Sequence, residues 1–286
     1  MTGGFLEALG AHGFLQNALA AGLLASIACG VVGSYVVVKR IGFLAGGIAH
    51  SVLGGLGAAV FFGLDPMAGA LAAAVVSALV IGWVSLHWRE REDTLIGAVW
   101  AVGMAAGILF ISRTPGYNVD LMSYLFGDIL MAPRRDIWLM LGVDLVLVVL
   151  VALLHRQFLA VSFDEEFARL RGVPVTFFYM LMLCLVAVTV VLVIRLVGLI
   201  LVIALLTLPA AIAGQYVQTL GRMMVGAAAV GMLLTGSGLA LAYRPDLPAG
   251  ATIILLSGAA YLVSSLVGIP LRRRLLRLRA AGRREE

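Results

Sequence analysis

The chain has 286 residues, of which 62% are hydrophobic and 12% charged, with a mean hydropathy of +1.09 and a formal net charge of +5. Soluble domains carry about 45–50% apolar and about 25% charged residues, so this chain lacks the polar matter for a wetted surface. That excludes a water-soluble enzyme, a disordered chain and a collagen-like chain. It leaves a polytopic membrane protein whose long apolar runs, free of period-2 alternation, are helices rather than barrel strands.

The first 13 residues hold no basic cluster and no cleavage-site pattern, so no removable signal peptide is expected. A bilayer core of about 30 Å needs about 20 apolar helical residues. By that measure spans fall near 14–38, 43–63, 67–87, 95–112, 137–154, 174–194, 197–217, 223–242 and 249–270. The run 173–213 is too long for one crossing, and Arg195 with Gly198 marks the expected break. Without that break there are eight spans rather than nine.

Lys39, at the end of the first span, is the only lysine, and no glycine-rich phosphate loop precedes it. The chain therefore cannot bind ATP by the P-loop mechanism, and any ATP dependence must come from a partner subunit. The second span carries His50. Gly46, Gly47, Gly54 and Gly57 share its helix face, which leaves room for a neighbouring helix or for a path. An ionisable group in a span is a functional candidate, and neutral imidazole is a common metal ligand. A single histidine is not a metal site, so a core histidine bonded across a tight interface is the competing reading.

Small residues favour close helix packing in lipid. Gly42 with Gly46, and Gly103 with Gly107, have the four-residue spacing for it. Residues 119–131 are apolar but too short to span, and read as a re-entrant or interfacial helix with Asp128 wet. Asp144 lies in the middle of span 137–154 and must be protonated, paired or hydrated; Arg195 is a conceivable partner. Cys29 and Cys184 sit in apolar runs and match no disulfide or zinc pattern. His12, His87 and His155 fall at span ends, where water reaches them.

Residues 162–172, SFDEEFARLRG, read as a short amphipathic helix. Ser162 and Glu165 have capping-box spacing, the acids lie at its start and Arg169 and Arg171 at its end, and Gly172 and Pro174 stop it. Phe163, Phe167 and Leu170 share one face. A helix this short needs something to pack on. Its own bundle or the lipid interface, and a groove on a soluble subunit, stand as equal alternatives on physics alone. Basic residues are retained on the cytoplasmic side. With nine spans, fifteen of the twenty fall on one side, seven of them in the tail 271–286. The C-terminus is then cytoplasmic and the N-terminus outside. The tail reads as an anchor on anionic lipid headgroups, with no nucleic-acid role.

The blocks GGIAHSVLGG (46–55), DTLIG (93–97), VDLMSYLFGDIL (119–130), SFDEEFARLRGV (162–173), ALLTLPAAIA (204–213) and DLPAGATIIL (246–255) resemble the permease subunits of zinc and manganese ABC importers, in family order and over nearly the whole chain. The third block is most similar to the zinc permeases. The resemblance implies an all-α membrane bundle of about eight or nine transmembrane helices, like a type II ABC importer permease. One permease domain spans 1–286, in a bacterial or archaeal cytoplasmic membrane.

It also implies a homodimer with a path along its two-fold axis, two copies of a cytoplasmic ABC ATPase and an extracytoplasmic metal-binding protein. The cargo would be Zn²⁺ first and Mn²⁺ next, with no stably bound cofactor and ATP met only through the partner. Phe163, Asp164, Glu165, Glu166, Phe167, Ala168, Leu170 and Gly172 match the family's coupling segment, which favours docking. His50 matches the family's histidine in the second span, with Asp144 a further metal candidate and Gly46, Gly47, Gly54 and Gly57 lining the path. Two departures stand out. Gly47 replaces an aspartate that many members carry, and Trp100, Ala101 and Val102 stand where some zinc permeases have a further histidine. An ion-coupled secondary transporter using Asp144 is the alternative. An intramembrane serine enzyme on Ser237 lacks a positioned base.

Overall fold

The computed structural model describes residues 3–88, 92–114, 127, 129–243, 245 and 247–268. Every regular element among them is helical: α1 (Gly3–Ala11), α2 (Gly13–Lys39), α3 (Gly42–Phe61), α4 (Pro66–His87), α5 (Glu92–Arg113), a 3₁₀ turn (Ile129–Met131), α6 (Arg134–Leu153), α7 (His155–Phe163), α8 (Glu165–Leu170), α9 (Val175–Val197), α10 (Leu199–Gly214), α11 (Leu220–Tyr243), α12 (Ala249–Val263) and a π turn (Ser264–Gly268). Most of the expected 119–131 helix and the 271–286 tail, together with Asp128, lie outside the described residues.

The local signals explain the breaks. Arg40 takes a left-handed φ of 60°, and Ile41 N–H bonds Val36 O at 3.0 Å, so α2 folds over tightly into α3. Asp65 accepts the Ala68 N–H at 2.9 Å ahead of Pro66, which starts α4. Gly198, at φ 82°, separates α9 from α10 as the sequence reading expected. Eight described helices are long and apolar enough to cross a membrane. The ninth apolar helix, α10, has 16 residues. At 1.5 Å per residue it is about 24 Å long, and surrounding helices rather than lipid cover most of it.

α2 is the central element: it touches α6, α9, α10 and α11. Its apolar run packs through small residues. Gly30 meets the Ala228 backbone of α11 and Gly33 meets the Leu206 carbonyl of α10, places where a Cβ has no room. Two buried hydroxyls of α2 donate to their own helix, Ser26 to Gly22 O and Ser34 to Gly30 O, both at 2.7 Å, and Ser26 Oγ also meets Thr235 Oγ1 of α11 at 3.3 Å. α4, α5, α6 and α12 are peripheral, and only 11% of the apolar window of α5 is buried.

Two ion pairs mark opposite ends of the bundle. Lys39, at the end of α2, binds Glu165 at the start of α8. Arg195, near the end of α9, binds Asp136 in the first turn of α6 at 2.8 Å. Arg195 therefore pairs with Asp136 and not with Asp144, because it sits at the end of its helix while Asp144 lies two turns deeper.

The expected 162–172 helix is also corrected. Ser162 and Phe163 close α7, and α8 begins only at Glu165. Asp164 caps α8 by accepting the Phe167 N–H at 2.9 Å, whereas the Ser162 hydroxyl is buried without a partner. Two overlapping cap patterns compete here, and the aspartate's extended backbone wins.

Candidate functional site

His50 is buried on α3, and the Trp100 side chain of α5 covers its ring. Three contacts bring the two helices together. Gly54 and Gly57 meet the backbones of Gly103 and Gly107, and Gly47 meets Ile96. Of the sequence-spaced pairs, Gly103 and Gly107 are the close-packing ones. Gly42 and Gly46 stand off at ordinary contact from Thr207 and the Trp100 ring. The His50 imidazole is 9% exposed and lies flat on the Trp100 indole, with ring centroids 3.8 Å apart and planes 12° from parallel. Its Nδ1 is buried with no hydrogen-bond partner. The competing reading, a histidine bonded to a carbonyl, is thus not met at that nitrogen.

Asp144 occupies a different interface. With Asp136, Met140, Leu147 and Val151 it forms the buried stripe of α6, which faces α2, and its Oδ2 has no partner. His50 and Asp144 therefore belong to separate helix pairs. Among the described residues no three His, Cys, Asp or Glu side chains gather as a metal-binding group. Ser237 donates to the Leu233 carbonyl at 2.5 Å, so its hydroxyl is engaged by its own helix.

The second candidate surface is the loop between the membrane helices. Phe163, Phe167 and Leu170 are exposed, Leu170 at 87%. Arg171 stacks over the Phe167 ring at 4.9 Å. Gly172 ends α8 at φ 76°, open to left-handed backbone as only glycine readily is. Ala168 differs from its neighbours: it is fully buried against the chain's own bundle, so it seats the helix instead of offering a surface. Glu165 faces Lys39, and Asp164, Glu166 and Arg169 line a cavity of about 370 Å³ with them.

Sequence reasoning missed the Trp100 stack and the Lys39–Glu165 pair. Trp100 could have been found from the four-residue glycine register, which lays α5 on the His50 face. The pair joins residues 126 positions apart, and only the rarity of lysine hinted at it.

The profile of the ABC 3 transport family matches residues 11–268. The chain belongs to this family. An uncharacterized membrane protein of Synechocystis is 50% identical over 88% of this chain and 89% of its own length. The manganese transport system membrane protein MntC of Halalkalibacterium halodurans is 33% identical over 90% of this chain and 88% of its own. Among solved structures, a chain of PsaBC from Streptococcus pneumoniae in complex with Fab is 31% identical, with a TM-score of 0.84 over 92% of this chain and 95% of that one. The chain is thus an ABC permease subunit and not an enzyme; ATP hydrolysis belongs to a separate subunit.

Proposed function

We propose that this chain is the permease of an importer for a divalent transition metal. It works as a homodimer with two cytoplasmic ATPases and an extracytoplasmic metal-binding protein. The exposed ridge of Phe163, Phe167 and Leu170 carries the reading. Three large apolar side chains on a loop rimmed by charge fit helix-in-groove docking, and family membership supplies the ATPase as occupant. The name of the MntC relative argues for Mn²⁺ ahead of Zn²⁺. The ion-coupled alternative built on Asp144 finds no support among these relatives.

In this scheme the tail and the α8 loop face the cytoplasm. ATP binding draws the two ATPases together, and α8 passes that motion to the spans. The glycine face of α3 lets α5 slide or tilt without breaking interlocked side chains. As the Trp100 ring leaves the imidazole, His50 becomes available to the metal. One imidazole per protomer, helped by water and by the second copy, binds weakly enough to release. Asp144 would serve the path only after the α2–α6 contact opens.

The docking reading is tested by co-expressing Phe167→Asp with the partner ATPase. A carboxylate on this exposed ridge would be stranded without water once the ATPase covers it, so assembly and transport-linked ATP hydrolysis should both be lost. An intact, active complex would refute docking at this helix.

A further inference from the structure

α8 has six residues and cannot hold itself in water. Among the described residues, Ala168, fully buried, and the bond that Lys39 Nζ donates to Glu165 Oε1 at 2.5 Å both help to seat it. The second is unusual in its setting. The Lys39 and Glu165 side chains are only 12% and 21% exposed. The ammonium also lies 5.5 Å over the Tyr179 ring in the first turns of α9, and the Tyr179 hydroxyl meets Ser85 Oγ of α4 at 3.1 Å. Cavities of about 370 and 330 Å³ flank the pair, both lined by Lys39 and Glu165. The surface around the pair is therefore not close-packed. Side chains separated by cavities transmit force poorly, and a short, sheltered ion pair across the gap is the stiff connection.

We propose that the Lys39–Glu165 pair is the strut that carries movement of α8 into α2, with Tyr179 and Ser85 bracing it on α9 and α4. α2 then distributes the displacement, because it alone of the helices meeting at this joint touches α6, α9, α10 and α11 together. Both residues act through position, since neither needs to meet the cargo. The inference rests on the ATPase-docking reading and adds to it which bond transmits the stroke.

The experiment uses the assembled importer, with its ATPase and binding protein, in proteoliposomes. Radioactive Mn²⁺ uptake and ATP hydrolysis are measured on the same preparation. Lys39→Met and Glu165→Gln should keep assembly and hydrolysis, while uptake per ATP falls about tenfold, within the usual range of coupling between sites. Lys39→Arg should retain coupling. The swapped pair, Lys39→Glu with Glu165→Lys, should recover it relative to either single swap. Glu165→Gln keeps the side chain's size and so reads the strut even where Lys39→Met fails to assemble. Unchanged uptake per ATP in Glu165→Gln, or a swapped pair no better than its singles, overturns the proposal. Failure of the docking reading appears separately, as assembly that survives Phe167→Asp.

Discussion

At the scale of single residues, His50 holds one ring nitrogen, Nδ1, buried and without a hydrogen-bond partner among the described residues. A buried ring nitrogen without a partner is costly in a purely structural role, and the parallel Trp100 stack supplies packing but no hydrogen bond at Nδ1. Two substitutions separate packing from ligation. His50→Phe keeps a flat ring on the indole, and His50→Ala removes it. If His50 contacts the metal, both should lower Mn²⁺ uptake by about tenfold or more, the scale of disturbing a metal's surroundings, with ATP hydrolysis retained. Uptake preserved in His50→Phe would assign the residue to packing alone. The stack with Trp100 was legible only indirectly: the glycine spacing places α5 on the His50 face, but the periodicity of neither helix says which side chain then meets the imidazole.

At the scale of elements, the helices were read well where apolar length decides and poorly where caps compete. The break at Gly198 was visible because no single helix can cross twice and glycine tolerates the required φ of 82°. The start of α8 was not, because Ser162 and Asp164 each offer a serviceable cap and only the extended backbone at Asp164, set by the folded chain, selects between them. The α3–α5 contact gives a direct test of the glycine packing. A Cβ at Gly103 would lie 2.6 Å from the Ser51 Cα, while Gly142 on α6 has nothing within 4 Å. Gly103→Val should therefore destabilise the folded protein by about 1–3 kcal/mol through overpacking. Gly142→Ala should stabilise it by about 0.4–1 kcal/mol by reducing the freedom of the unfolded chain. Denaturation in mixed micelles measures both. Equal effects at the two positions would remove the case for a backbone-to-backbone seam.

At the scale of the whole molecule, polar chemistry is concentrated at the two ends of an apolar bundle. Asp136–Arg195 ties α6 to α9 at one end, and Lys39–Glu165 ties α2 to α8 at the other. Composition alone foretold the membrane setting. The pairings stayed hidden because they join residues distant in sequence. Such a molecule has no energy source of its own. Reconstituted without an ATPase, the chain should show no Mn²⁺ accumulation under a proton gradient. Addition of the ATPase, binding protein and ATP should start it. Gradient-driven accumulation by the chain alone would instead favour the Asp144 mechanism.

The solitary lysine has a practical corollary. Apart from the terminal amine, every amine-directed reagent has one target in this chain, and that target sits at the joint between α2 and α8. Reductive methylation with ¹³C-formaldehyde would therefore install a single side-chain resonance while keeping the positive charge. Its chemical shift and its resistance to labelling would report, turnover by turnover, whether the joint is closed or open, without any engineered probe.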